Sequence, residues 1–508
     1  MKEVSENQKN WKSEELRAER KARLAELKSK DGGKKPLKTG SRLATIIVIV
    51  VLVLALIGTG IWGALRLGFP QQKLTAMTVG SEKISVLEFN YYYHNTASQF
   101  QIDLSDPASE RYLLMDSGVE GFDTLEDYLK DIAAQQAQLN TMLASQAEAD
   151  GLVLGDEDYA VIDNFYATIE SNAKQSEVST NAYLVSLFGK GATKDTLQPV
   201  LERFLLAQKF SGEKLLSFNF TDDELNSHYL ANVNDFDRVT YRTFSISAEY
   251  ESDADAEEKE SAIFKAKLTG SVMLTEISDE ESFREACIKY AKDDDAKADY
   301  EKSDKSLMFN KLKSSVAGTE SAEWLFDSSR REGDKKMVET STGVQILMFI
   351  SRNDSDFPYV NVNHILVGVD KETATSEEID AARAKAEDIL EEYQAGEKSQ
   401  DAFEKLAAEY SEDGNAASGG LYESVYPGQM VAEFEQWCFD SDRKTGDTGV
   451  VETEYGFHVM YFAGTAEEKD RTVRLTDAMR ADAYDKYVEE TLPSYPYEFD
   501  SFGMRFST

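Results

Sequence analysis

At 508 residues the chain can hold about three or four domains, and 41% hydrophobic residues let most of it bury a core. A formal net charge of −38 and a pI near 4.5 exclude duplex nucleic acid as a partner, because such a surface repels it. Two cysteines without a CxxC pair (Cys287, Cys438) and four histidines without metal-ligand spacing (His94, His228, His364, His458) give no expectation of a metal.

The charge is unevenly spread. Residues 1–42 carry 13 Lys/Arg against 7 Asp/Glu, which leaves −44 on the rest of the chain. Leu43 to Leu65 is then a run of 23 residues without charge. As a helix it is about 34 Å long, enough for a bilayer core of ~30 Å. Lys34, Lys35, Lys38 and Arg42 precede it, and only Arg66 and Lys73 follow closely. The positive-inside rule therefore predicts a single-pass signal anchor at 43–65 in contact with lipid, a cytoplasmic basic segment at 1–42, and an extracytoplasmic remainder. The run is too long, and the region before it too extended, for a cleaved signal peptide.

Residues 71–236 read as a mostly helical module. Met77 to Val79, a Gly80-Ser81 turn and Lys83 to Ser85 predict a hairpin. Ser85 with Glu88 caps the next helix. Leu125, Leu129, Ile132, Gln136, Leu139 and Leu143 stripe a long helix that ends by Gly151. Leu197 to Phe218 reads as another, with Pro199 in its first turn. Thr221-Asp222-Asp223-Glu224 opens a further helix.

Beyond it the chain repeats itself. Trp324-Leu325-Phe326-Asp327-Ser328-Ser329-Arg330 corresponds to Trp437-Cys438-Phe439-Asp440-Ser441-Asp442-Arg443. Gly333-Asp334, Val338-Glu339-Thr340 and Gly343-Val344-Gln345 correspond to Gly446-Asp447, Val451-Glu452-Thr453 and Gly456-Phe457-His458, all at an offset of 113. Phe283, Tyr290, Asp293 and Ala296 match Phe403, Tyr410, Asp413 and Ala416 at an offset of 120. One domain thus occurs twice, at 237–352 and 360–465. The second copy reads as an α+β unit: a strand at Val362 to Val367, a Thr375–Glu378 capping box opening a helix, and a second helix through Phe403 and Tyr410. A third helix carries Phe434 and Trp437, and a closing hairpin runs through Val450 to Phe462.

At this point a resemblance becomes specific. Asn363-His364-Ile365-Leu366-Val367 looks like the opening strand of parvulin-type peptidyl-prolyl isomerases. Tyr410-Ser411-Glu412-Asp413 with Gly419-Gly420 resembles their central loop. Gly428-Gln429-Met430-Val431-Ala432-Glu433-Phe434-Glu435 is close to their GQM-x-x-x-F-E segment, and Thr453-Glu454-Tyr455-Gly456-Phe457-His458 to their final T-x-x-G-x-H. One departure is Gly420-Leu421-Tyr422, where the family often has Gly-Asp-Leu-Gly. The order of the helical module resembles the N-terminal chaperone domain of foldases of the PrsA, SurA and PpiD kind. In those proteins a C-terminal segment packs back on that domain, a role the resemblance gives to residues 466–508.

The resemblance implies an α+β chain: anchor, SurA-N-like helical domain, and two tandem FKBP-like parvulin domains. It implies His364, Asp413, His458 and Thr453 as catalytic residues, and Leu421, Gln429, Met430, Phe434 and Tyr455 as substrate contacts. No cofactor is required, since the reaction only rotates an X-Pro amide against a barrier of about 18–20 kcal/mol. The implied partners are unfolded or newly exported polypeptides with X-Pro bonds. Arg242 stands for His364, at an offset of 122, and Gln345 for His458, at 113, so the first copy reads as degenerate. The competing expectation is a membrane-anchored holdase whose parvulin copies bind peptide without catalysis.

Overall fold

The computed structural model describes residues 66–302, 305–371 and 373–507, so the anchor expected at 43–65 and the basic segment before it lie outside the described residues. Among the described residues no helix is long and apolar enough to cross a membrane. The chain forms two compact units: residues up to Gly212 with those from Glu489 onward, and Glu213–Val488.

In the first unit β1 (Thr75–Val79) and β2 (Glu82–Ser85) form the hairpin, and a strand at Tyr497–Phe499 adds to the free edge of β1. Ser85 Oγ accepts the Glu88 N–H at 3.1 Å and starts the helix Val86–Gln99. A Thr124–Asp127 capping box starts Leu125–Ala149. Leu129, Ala133 and Ala137 on one face of that helix pack with Phe89 and Tyr93 in a core that Tyr495, Tyr497 and Phe506 help cover. The helix read from Leu197 starts at Lys194, which puts Pro199 beyond its first turn.

The second unit holds two four-stranded antiparallel sheets. One contains β3 (Arg238–Ser247), β4 (Leu307–Leu312), β5 (Lys335–Thr340) and β6 (Gly343–Asn353), in the order β4-β3-β6-β5. The other contains β7 (Pro358–Gly368), β8 (Leu421–Val425), β9 (Thr448–Thr453) and β10 (Gly456–Lys469), in the order β8-β7-β10-β9. Each sheet therefore follows the sequence second, first, fourth, third. Even an irregularity is duplicated. Asn310 in β4 and Ser424 in β8 both take a left-handed backbone, with φ of 55° and 57°. Their N–H groups are caught by equivalent side chains, Thr240 Oγ1 at 3.1 Å and Asn361 Oδ1 at 2.9 Å.

Alternation along the strands sorts side chains to two buried faces. In the second copy Ile365, Val367, Phe457, Val459 and Tyr461 meet the helices Ser376–Ala395 and Gln400–Tyr410. Val360, Val362, Met460 and Phe462 meet Phe434 and Cys438 of the short helix Ala432–Cys438. The first copy repeats both layers: Phe244, Ile346 and Met348 face Phe283 and Cys287, while Val239, Tyr241, Leu347 and Phe349 face Leu325 and Phe326. Both cysteines are buried, and neither forms a disulfide.

The ladder corrects one correspondence. His364 pairs with Met460, whereas in the first copy it is Thr243, not Arg242, that pairs with Leu347, the counterpart of Met460. A slip of one residue moves a side chain to the opposite face. Arg242 accordingly lies with the helix layer, bonded to Glu280 Oε2 at 3.0 Å and Ser306 Oγ at 2.8 Å. The offset between copies changes inside the loops, so matching by spacing alone misplaced it.

The helix Asp470–Thr491 begins with Asp470, which is buried and receives Arg238 Nη2 at 3.0 Å, Arg474 Nε at 3.0 Å and the Tyr359 hydroxyl at 3.1 Å. One carboxylate thereby joins the first strands of both sheets.

Candidate active site

β7 and β10 run antiparallel with Leu366 opposite His458 and Met460 opposite His364. The two histidines are therefore diagonal neighbours on one face, within reach of each other. Their Nδ1 atoms lie 3.0 Å apart, and the rings stack with centroids 5.2 Å apart. Both are buried, at 2% and 5% exposure. Thr453, the last residue of β9, places Oγ1 2.8 Å from His458 Nε2 and accepts the Tyr455 N–H at 3.2 Å. With the Thr453 hydroxyl donating to His458 Nε2, the matching tautomers put the His458 proton on Nδ1, where it is donated to His364 Nδ1, and the His364 proton on Nε2. That nitrogen has no hydrogen-bond partner and faces Asp413 Oδ1 at 3.7 Å, longer than a direct bond.

Burial lowers both imidazoles. It carries His458 down to about 4, with the charge of His364 acting in the same direction. For His364 burial outweighs the opposing pull of Asp413. At neutral pH the pair is thus uncharged and able to donate and accept in a fixed direction.

The loop bearing Asp413 is tied to β7. Ser411 Oγ accepts the Leu366 N–H at 3.1 Å and the Asp413 N–H at 3.3 Å. The Glu412 N–H donates to Leu366 O at 2.9 Å. Asp413 Oδ1 in turn accepts the Asn415 N–H at 3.1 Å and the Tyr422 hydroxyl at 3.3 Å. Gly420 has φ +68°, and a Cβ there would lie 2.2 Å from His364 O, so the turn needs glycine to let β7 pass. Tyr422 was not among the residues implied by resemblance. Its ring centroid is 5.1 Å from that of His364, and it lies in the segment that departs from the family pattern.

The apolar side of the site comes from the short third helix. Phe434 sets its ring edge-on to both histidines, with centroids 5.6 Å and 5.5 Å away. Met430 packs in the same cluster. The turn that carries Met430 is held by Glu435 Oε1, which accepts the N–H of Gly428, of Gln429 at 2.8 Å and of Met430 at 3.3 Å. Burial raises this carboxyl, and the three backbone donors pull it the other way. Glu435 closes the GQM-x-x-x-F-E segment in the sequence, and only the fold gives it this role. Leu421 stands opposite Asn363 on β8 and is half-buried. Gln429 and Tyr455 are exposed: Gln429 Oε1 accepts the Tyr426 N–H at 3.1 Å, and Tyr455 contributes its backbone N–H to Thr453. The structure thus gathers His364, His458, Thr453, Asp413 and Phe434 into one cluster, with Met430 beside it.

The equivalent face of the first copy is filled differently. Gln345 Nε2 donates to Thr243 Oγ1 at 2.8 Å where His458 meets His364, and Ser321, at the Phe434 position, donates to Gln345 Oε1 at 2.7 Å. The pairing survives without a titratable ring. Among the described residues no group of three or more His, Cys, Asp or Glu could hold a metal ion.

Residues 364–464 match the family model of the PPIC-type PPIASE domain, the rotamase family. The chaperone SurA of Alkalilimnicola ehrlichii is 32% identical over 163 residues, 31% of this chain and 36% of that protein. The foldase protein PrsA of Geobacillus kaustophilus is 34% identical over 118 residues, 23% of this chain and 35% of that protein. The chain spans about a third of the length of the curated relatives it matches. A crystallised PpiC-type peptidyl-prolyl cis-trans isomerase domain is 26% identical, with 22% of this chain and 94% of that one covered and a TM-score of 0.19.

Proposed function

We propose, from the premise that residues 364–464 are a parvulin-type rotamase domain, that the chain is a peptidyl-prolyl cis-trans isomerase and chaperone for exported proteins. The observation that carries this reading is the buried, uncharged His364–His458 pair, anchored by Thr453 and open toward Asp413. Rotation of an X-Pro amide needs no bond to the enzyme. It needs a site that holds the proline ring and favours the twisted amide over both planar forms. Met430 and Phe434 supply the apolar wall for the ring, and Tyr422 a third side, since Leu421, paired with Asn363, projects from the other face of the sheet. The unpartnered His364 Nε2–H and the Asp413 carboxylate face one another across a gap. There they polarise the amide as its nitrogen loses conjugation and gains basicity. Gln429 and Tyr455, exposed at the rim, would contact the flanking peptide.

The anchor at 43–65 would hold this domain outside the cytoplasmic membrane, where newly exported chains emerge unfolded. The helical residues 71–236, with 466–508, would serve as the chaperone module and the 237–352 copy as a non-catalytic one. The test is exchange NMR on an Ala-Pro peptide with the full chain. Accelerated cis-trans exchange is expected, with loss in His364→Thr/His458→Gln. Exchange at the uncatalysed rate, or acceleration that survives the double substitution, would overturn the assignment. A holdase reading draws on the first copy, whose Thr243–Gln345 pair keeps the fold without the imidazoles. Suppression of aggregation of a proline-free client by the same double variant measures that activity separately.

A further inference from the structure

The two sheets of the Glu213–Val488 unit meet along a seam where β4, an edge strand, approaches the turn that carries Met430. Leu307, Phe309 and Lys311 form one side of a groove of ≈ 540 Å³, and Met430, Gln436 and Phe439 form the other. Two features tie this groove to the histidine site. Met430 lines it and also packs with Phe434, whose edge meets both imidazoles. The turn itself is seated on the first copy: Asn310 donates its side-chain amide to Pro427 O, and a Cβ on Gly428 would lie 2.9 Å from Phe309 O. Asn310 is in turn fixed by Arg238 Nη1 at 3.2 Å and Asn353 Nδ2 at 2.5 Å.

Phe309 in this groove differs in kind from its counterpart in the second copy. It is 44% exposed on an edge strand. Its counterpart in the second copy is fixed by the shared irregularity: Met308 and Asn310 occupy the places of Tyr422 and Ser424, so Phe309 occupies that of Glu423. The repeat therefore places a charged residue where this copy presents an aromatic ring to water. A ring kept there costs solubility and edge protection unless something covers it.

We propose that this groove is a second subsite for the client peptide. It takes a large apolar side chain a few residues from the proline whose ring rests on Met430 and Phe434. The first copy, without imidazoles of its own, would thereby set sequence preference for the second. The inference rests on the isomerase reading for the position of the proline. Continuity through Met430 identifies the occupant as the same extended polypeptide rather than a separate partner.

The test uses the full chain and labelled peptides of about a dozen residues. Each contains one Ala-Pro bond, with a single Phe walked along the flanking positions or replaced by Ser. Fluorescence anisotropy should show that the best-placed Phe improves affinity about tenfold over Ser. That ratio should collapse toward one in Phe309→Ser, and equally in Gln436→Trp, which fills the groove from the opposite wall without depending on β4. No preference for Phe in the wild type, or a preference retained in both variants, overturns the subsite. Exchange NMR on the same samples separates the two readings. A Phe preference that depends on Phe309, without accelerated exchange, keeps the subsite and removes the isomerase. Accelerated exchange without the preference does the reverse.

Discussion

The two sheets of the second unit share strand order, a left-handed residue in the second strand and two buried layers, yet they present different chemistry on the same face. At one pair of positions stand His364 and His458, with Phe434 against them. At the other stand Thr243 and Gln345, with Ser321 against them. Both sets form a hydrogen bond across the central strands, so the fold accepts either, and only the histidine set leaves a buried polar atom, His364 Nε2, without a partner. Stability therefore does not account for the imidazoles. They introduce burial of a titratable ring, which lowers its proton affinity and is a liability unless the ring is used.

Exchanging the two sets is the most direct way to break this comparison. His364→Thr with His458→Gln gives the second copy the residues of the first and should lower X-Pro exchange by about a hundredfold, the scale of losing an aimed polar group. The Thr–Gln bond is available to replace the His–His one, so the circular dichroism spectrum should stay that of the wild type. An unfolded double variant would show instead that the histidines are structural.

A smaller effect is expected on the apolar side. Met430→Ala removes contact with the proline ring but no polar group, so KM should rise about tenfold while kcat changes little. Steady-state exchange rates over a range of peptide concentrations resolve the two. A loss confined to kcat would mean that Met430 positions the histidines rather than the substrate.

The pH dependence sharpens the same contrast. His458 falls to about 4 in the fold, against about 6.5 in an unfolded chain. As pH falls below about 6.5 the unfolded state takes up a proton that the folded state refuses, so stability declines until pH passes about 4 and then levels off for this group. His364, lowered in the same direction, adds to the decline. Melting temperatures measured between pH 7 and 4 should fall less steeply in the Thr/Gln variant than in the wild type. Parallel curves would contradict neutral, buried imidazoles.

The smallest effect belongs to the first copy. Gln345→Ala should leave X-Pro exchange within about twofold of the wild type, since it alters a hydrogen-bonded pair outside the histidine cluster. A tenfold loss would mean that the first copy takes part in the chemistry.

Much of the architecture is written in local patterns. Thr124, Thr221 and Thr375 each cap the helix that follows, because a hydroxyl accepting from the third N–H is a contact between near neighbours. The repeat, the hairpin through Val450 to Phe462 and the α+β class rest on the same kind of short-range regularity. His364 and His458 were legible as candidates by their motifs, although 94 residues separate them. Their shared face follows from strand alternation once the pairing is known. The pairing itself is what the tertiary structure decided. Register fixed Thr243 rather than Arg242 as the counterpart of His364, because one residue of slip reverses the face and no spacing count across loops of unequal length sees it. Tyr422 came to Asp413 in the same way, through a strand pairing in a segment that departs from the family pattern. The seating of Pro427 on Asn310 depends on how the two sheets meet, and that contact joins residues with no local signal between them.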